Sequence, residues 1–288
     1  MDLVRMNAYA KINLFLEVCE KRPDSYHNID SVMQSVSLCD VVTVKKSDSI
    51  TLSNTGNLPN DSSNLAYKAA VLFFEYTRIK SGAEIHIEKH IPISAGLAGG
   101  STDAAAVLRA LNELYVTEID IDTLCALGAK LGADVPFCLK GGTYITKGIG
   151  DEFTKCPSLP QCWVVITKNG EGVSTPYAYG EIDRLRKKTD YRYKSSNDII
   201  SSLEENNLEE ICNRMFNVFE SVVSPIRPYV EEQKAVLNKH HSLRAMMSGS
   251  GPSVFGIFSN EEDAECALIE LQSLGSQAYI CHPIIKKG

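Results

Sequence analysis

The sequence predicts an α+β protein of two domains, on three observations. The chain of 288 residues exceeds the size of one ordinary core. Its first half interleaves strand-like alternation with helical apolar spacing, and its second half gives an ordered run of strands and helices. A hydrophobic fraction of 44% can fill both cores. The boundary is expected near residue 160, after Pro157 and Pro160 and before the apolar run at Trp163, giving domains 1–160 and 161–288.

In the first half, residues 7–18 and 41–44 alternate as strands, 63–78 read as a helix and 84–88 as a strand. A helix opens at Ser101, with Ala104, Val107, Leu108, Leu111 and Tyr115 at helical spacing. Another spans 123–131, with Asp122 as its N-cap and Gly132 as its stop. Gly141 and Gly142 lead into a strand at 143–146. The second half reads strand 163–167, helices 208–222 and 226–238, strands 243–247 and 253–258, helix 261–273 and strand 278–284. That order is the split β-α-β-β-α-β of ferredoxin-like folds. Residues 184–194, basic and polar, read as a solvated connection.

A net charge of −7 argues against a nucleic-acid partner, whose phosphates draw affinity from excess Lys and Arg. Nine cysteines form no C-x-x-C pair and no zinc-ligand spacing, as expected of reduced thiols in a cytoplasmic, soluble protein. The N-terminal segment lacks a signal-peptide core, and no apolar run is long enough to span a membrane.

The strongest chemical signal is the small-residue run Pro92, Ile93, Ser94, Ala95, Gly96, Leu97, Ala98, Gly99, Gly100, Ser101 and Thr102, set between a strand and a helix. Glycines at 96, 99 and 100 allow positive φ and close approach of backbone N–H groups to an anion, and the helix N-terminus adds donors and its dipole. An ordinary strand-to-helix turn capped by Ser101 or Asp103 would use similar residues. No Gly-Lys dipeptide occurs, which excludes a Walker A loop, and the G-x-G-x-x-G spacing is missing. Alternation on the first strand puts Lys11 and Asn13 on one face, where the lysine either faces solvent or reaches a reacting centre. Asp134, between Gly132 and Pro136, is either a helix-terminus acid or a general base. Gly249, Ser250 and Gly251 form a second small-residue turn, which a plain hairpin would also favour.

Together the segments AYAKINLFLEV, KRPDSYHNIDSV, IPISAGLAGGSTDAA, LGADVPFCLKGG and SGSGPSVF resemble the GHMP kinases, in the right order and across nearly the whole chain. The resemblance implies a ribosomal-protein-S5-like N-terminal domain and a ferredoxin-like C-terminal domain, with ATP and Mg²⁺ as phosphoryl donor and a small-molecule alcohol as acceptor. AKINL followed by D-x-YH points to the branch that phosphorylates the 2-hydroxyl of a cytidine diphosphate-linked methylerythritol in non-mevalonate isoprenoid precursor synthesis. On that resemblance Asp134 takes the hydroxyl proton and Lys11 holds charge at the reacting oxygens. Tyr26 and Tyr179 sandwich the cytosine ring, His27 bonds its edge, Asn13 contacts the substrate near its reacting end, and Thr175 lines the same pocket. Two positions depart from the family pattern: Ser25 stands where glycine is common, and Ala98 replaces a frequent glycine. The metal ligand stays unassigned, since Ser101 and Thr102 have no obvious partner carboxylate. A homoserine or mevalonate type of GHMP kinase, or a catalytically silent nucleotide-binding regulator, are the competing readings.

Overall fold

The computed structural model describes residues 2–188 and 190–285. The chain packs into two units drawn from separate stretches. One takes the chain up to Ala10, Leu38–Ile93 and Ala98–Gly141; the other takes Lys11–Ser37, Ser94–Leu97 and the chain from Gly142 onward. Two long strands, β1 (Leu3–Lys21) and β2 (His27–Ser47), contribute residues to both.

The first unit adds β3 (Thr51–Asn54), α1 (Leu65–Thr77), β4 (Gly82–Glu88), α2 (Gly99–Leu114), α3 (Ile121–Ala129) and α4 (Val135–Lys140). β4 pairs antiparallel with the end of β2, Val41 opposite Glu88, and parallel with β3. The alanine-rich faces of α1 (Ala66, Ala69, Ala70) and α2 (Ala104, Ala105, Ala106, Ala110) share one core with Phe73, Ile85, Leu108 and Leu111. Small side chains let the two helix backbones approach closely, while the larger ones fill the space toward the sheet. Asn64 caps α1 by accepting the Ala66 N–H at 2.9 Å. Asp120, not the expected Asp122, caps α3 by accepting the Thr123 N–H at 2.8 Å. Asp122 sits in the first turn, where its charge suits the helix dipole.

The second unit carries β5 (Thr143–Lys147) and β6 (Glu152–Lys155), paired antiparallel, with β5 also antiparallel to β2. Then come β7 (Trp163–Lys168), α5 (Thr175–Arg186), α6 (Asn197–Glu204), α7 (Leu208–Arg214), β8 (Phe216–Asn217), α8 (Glu220–Val223), α9 (Tyr229–Lys239), β9 (Arg244–Met247), β10 (Val254–Phe258), α10 (Glu261–Ser273) and β11 (Gln277–Cys281). Strands β11-β7-β10-β9 form a four-stranded antiparallel sheet, the ferredoxin-like order expected from the sequence.

Three expectations need correction. The helix read over 208–222 breaks after Arg214, because Phe216 and Asn217 pair in parallel with Phe15 and Leu16 of β1. Asn217 holds the break in place: its side-chain amide donates to the Met247 and Gly249 carbonyls at 2.7 and 2.8 Å, and its oxygen accepts the Phe219 N–H at 3.0 Å. The strand read over 41–44 is the end of a 21-residue strand. Its polar residues are buried but satisfied, Ser31 donating to the Phe15 carbonyl and Asp40 accepting the His90 and Ile91 N–H groups. The solvated connection at 184–194 is partly anchored: Arg186 ion-pairs at 2.6 Å with Glu17, which is fully buried and also accepts from the Tyr191 hydroxyl.

Candidate functional site

The glycine-rich run is a contorted loop that ends in a helix. Positive φ falls at Ser94 (52°), Gly96 (73°) and Ala98 (59°), and Ala98 is the N-cap of α2. The helix therefore opens at Gly99, two residues before the expected Ser101. Gly99 and Gly100 are its first residues, not the left-handed positions expected of them. Ala98 accepts the left-handed conformation despite its side chain, at a cost of roughly 1 kcal/mol. Its carbonyl takes the Thr102 N–H at 2.8 Å, which leaves the preceding N–H groups of the first turn as donors. Ser25, the other departure from the family pattern, also takes positive φ (72°), and its turn still closes through Arg22 N–H to the Tyr26 carbonyl at 2.7 Å.

In the second unit the two small-residue loops meet. The Ser248 hydroxyl donates to the Gly96 carbonyl at 3.1 Å, and a Cβ on Gly96 would stand 2.3 Å from the Ser248 carbonyl oxygen. Only glycine fits there, on both φ and space. Beside this junction lies a cavity of about 460 Å³ lined by Ser94, Gly96, Gly172, Ser174, Thr175 and Gly251, among others. Thr175 begins α5, whose N-cap Ser174 accepts the Tyr177 N–H, and its hydroxyl lies 3.3 Å from that of Ser250. The cavity thus combines a helix N-terminus, hydroxyls and glycine backbone, a donor-rich wall suited to a phosphate or diphosphate.

Lys11, 5% exposed, is in the same unit, its backbone N–H bonded to the Leu97 carbonyl at 3.1 Å. Its Nζ donates to Asn13 at 2.8 Å, and Asn13 in turn donates to the Ser31 hydroxyl at 3.0 Å. The shared strand face read from the alternation is therefore present, as a buried polar chain. The Lys11 Nζ stands 3.6 Å from where a Cβ of Gly249 would be, which brings it to the second glycine turn.

Asp134 is in the first unit, as N-cap of α4 with Pro136 in the first turn. It makes no capping bond to that helix through its side chain. A Cβ on Gly132, two residues earlier, would stand 3.9 Å from the Ser101 hydroxyl, so this turn adjoins the start of α2.

Of the residues expected to recognise the base, Thr175 and Tyr179 lie on α5, and His27, at the start of β2, is brought against Tyr179. The rings of His27 and Tyr179 stack at 5.1 Å and 29°. Tyr179 also packs edge-on against Phe219, while Tyr26 is 63% exposed.

Two features were missed in the sequence. Asp183 accepts from His27 Nε2 at 2.7 Å and from Lys21 Nζ at 2.9 Å; burial alone would raise its carboxyl, but these bonds hold it below the usual range. Spacing held the signal, since Tyr179 and Asp183 are four apart on one helix face. In the first unit, Lys89 is buried between Asp40 and Asp103, bonding Asp103 at 2.6 Å. Burial, reinforced by the neighbouring Asp40, pushes the Asp103 carboxyl up to about 7 against the pull of Lys89. The network joins the segment between β4 and the glycine-rich run, through the Asp40 bonds to His90 and Ile91, to the first turns of α2.

Among the described residues no group of three His, Cys, Asp or Glu side chains is arranged to hold a metal ion. A magnesium bound mainly by nucleotide phosphates and water needs only one or two protein oxygens; the Thr102 hydroxyl is buried and donates to the Tyr9 carbonyl at 2.8 Å, which leaves the Ser101 hydroxyl as the candidate at the start of α2. No helix among the described residues is long and apolar enough to cross a membrane.

A two-part chain with a glycine loop opening α2 and a ferredoxin-like sheet is the architecture of a small-molecule kinase, and the comparisons agree. Residues 64–142 match the model of the GHMP kinases N terminal domain and residues 199–277 that of the GHMP kinases C terminal domain. The chain belongs to the GHMP kinases. It is 45% identical to the 4-diphosphocytidyl-2-C-methyl-D-erythritol kinase of Caldicellulosiruptor saccharolyticus over 90% of this chain and 89% of that one. Against the enzyme of the same name from Clostridium tetani it is 42% identical over 98% and 100%. A crystal structure of 4-(cytidine 5'-diphospho)-2C-methyl-D-erythritol kinase superposes with a TM-score of 0.82 at 32% identity, covering 97% of this chain and 99% of that one.

Proposed function

We propose that the protein transfers the γ-phosphoryl group of ATP to the 2-hydroxyl of 4-diphosphocytidyl-2-C-methyl-D-erythritol, a step of non-mevalonate isoprenoid precursor synthesis. The observation that carries this reading is identity of 42–45% over nearly full length to kinases named for that substrate, on a chain that retains Lys11, Asp134, Tyr26, His27 and Tyr179.

In this mechanism the loop from Pro92 to Thr102 cradles the ATP phosphates with backbone N–H groups and the N-terminus of α2. Magnesium carried by the nucleotide would neutralise phosphate charge, and the Ser101 hydroxyl at the start of α2 would be available to hold it. Asp134 accepts the proton of the attacking hydroxyl, and Lys11, oriented by Asn13, stabilises charge on the reacting oxygens. Positioning and electrostatics supply the acceleration, and no covalent enzyme intermediate forms. The donor-rich wall around Thr175 and Ser250 holds the substrate diphosphate. The rings of Tyr26 and Tyr179 flank cytosine, and His27 bonds its edge. The chain is read as a nucleotide-binding half to residue 160 and a ferredoxin-like half from 161, acting in the cytoplasm.

The test is steady-state ADP release with Mg-ATP and three acceptors: the cytidine diphosphate methylerythritol, homoserine and mevalonate. The reading requires kcat/KM for the first to exceed the other two by orders of magnitude. Preference for homoserine or mevalonate overturns it, as does ATP binding with no turnover on any.

A further inference from the structure

We propose that Asp183 is a positioning residue for base selection: by accepting the Nε2–H of His27 it fixes the tautomer whose Nδ1 accepts a hydrogen bond from the 4-amino group of cytosine. The inference deepens the proposed function and rests on it for the identity of the base.

An ionised carboxylate only accepts, so the 2.7 Å contact to Asp183 requires the proton to lie on Nε2 of His27. Asp183 is ionised by its surroundings, since the bonds from Lys21 and His27 outweigh its partial burial. Lys21 donates to the same carboxylate at 2.9 Å, and the imidazole completes the arrangement by donating one N–H. Tyr179 stacks against the ring and the His27 side chain is 5% exposed, so the ring has little freedom to turn over. Tyr179 and Asp183 are one helical turn apart on α5, and the helix therefore delivers the stacking surface and the acceptor together.

The remaining polar atom is Nδ1, which makes no hydrogen bond among the described residues. In the fixed tautomer it is an acceptor. Cytosine and uracil differ at position 4, an amine donor in one and a carbonyl acceptor in the other. A lone pair on Nδ1 pairs with the first and opposes the second, and a site built to accept from an amine rejects the base that lacks it. Asparagine at 183 would weaken this control, because its amide can present either an oxygen or an N–H to Nε2 and so tolerates both tautomers.

The test uses the full chain and two probes, CDP and UDP. Long-range proton–nitrogen NMR of the imidazole rings assigns the tautomer of His27, its resonances identified by their loss in His27→Gln. The expected result is a proton on Nε2 and a bare Nδ1 whose nitrogen shifts with CDP and not with UDP. Asp183→Asn should lower the CDP-to-UDP affinity ratio by about tenfold, and should raise KM for the cytidine substrate more than it lowers kcat. Asp183→Ala should mix the two tautomers. A proton on Nδ1 alone in the unmutated protein overturns the inference, as does an unchanged CDP-to-UDP ratio in Asp183→Asn. Failure of the unmutated protein to phosphorylate the cytidine substrate, with the expected tautomer and CDP preference intact, would reject the proposed reaction and leave this assignment standing.

Discussion

Replacing Gly96 with alanine puts a methyl carbon 2.3 Å from the Ser248 carbonyl oxygen, 3.2 Å from that of Gly251 and 3.3 Å from the Ser248 carbonyl carbon. All three neighbours are backbone, so no side chain can rotate aside, and the Ser248–Gly251 turn must retreat by about 1 Å to reach ordinary contact. The residue also sits at φ +73°, which costs an L-amino acid roughly 1–2 kcal/mol. Adding the loss of the loop contact gives a destabilisation of about 2–4 kcal/mol. At a slope of about 2 kcal/mol per molar urea, the unfolding midpoint should fall by about 1–2 M. On the proposed function, in which this loop cradles the ATP phosphates, a shift of that size should lower kcat/KM for ATP by about 100-fold. Gly180→Ala is the matched control: nothing lies within 4 Å of its added Cβ, and the site is exposed in α5, so stability should rise by about 0.5–1 kcal/mol. Urea melts and ATP kinetics on the two variants decide the matter. A Gly96→Ala protein with unchanged midpoint and ATP KM would refute the claim that the two glycine turns are locked together by backbone contact.

Three further outcomes follow from the same geometry. Asn217→Ala strands the Met247 and Gly249 carbonyls and should cost about 1–3 kcal/mol in a urea melt, with weakened ATP binding as the second turn loosens. Lys89→Met leaves Asp40 and Asp103 buried without their cation, which should cost about 3–5 kcal/mol at pH 8, measured by denaturant unfolding. For Asp103 itself the folded carboxyl is raised to about 7 from a reference of 3.8, so between those values the folded state holds more proton than the unfolded one. Stability from this group is therefore present at low pH and declines as pH rises toward 7, and Asp103→Asn should remove that decline from the pH–stability profile.

Much of the site was legible because local residue chemistry dictates it. Lys11 and Asn13 alternate on a strand whatever surrounds them, and Gly96, in the small-residue run between strand and helix, announces a close backbone approach that Gly99 and Gly100, inside α2, do not make. The four strands of the second-half sheet and α10 held because their apolar runs are short and separated, whereas α5, α6 and β8 were not read. Other features depend on partners distant in sequence. The length of β2 was hidden because Ser31, Gln34, Ser35 and Asp40 are polar, yet buried and bonded to Phe15, Thr143, Gly142 and Ile91, which no local window contains. Asn217 breaks a helical pattern only because two carbonyls 30 and 32 residues onward await its amide. Ala98 and Ser94 take positive φ without glycine, which composition alone argues against. Arg186 looked like part of a solvated basic tract until Glu17, from the first strand, gave it a buried partner.

The central claim is phosphoryl transfer to one hydroxyl with Asp134 as base, and phosphorus NMR of a complete reaction tests it most directly. The protein, Mg-ATP and 4-diphosphocytidyl-2-C-methyl-D-erythritol should yield ADP and one new phosphomonoester signal at the 2-position, with the diphosphate signals of the substrate retained. Asp134→Asn should bind ATP normally and lose about 100- to 10,000-fold in rate, the usual contribution of a positioned base. A phosphomonoester at another hydroxyl, or full activity in Asp134→Asn, would contradict the account.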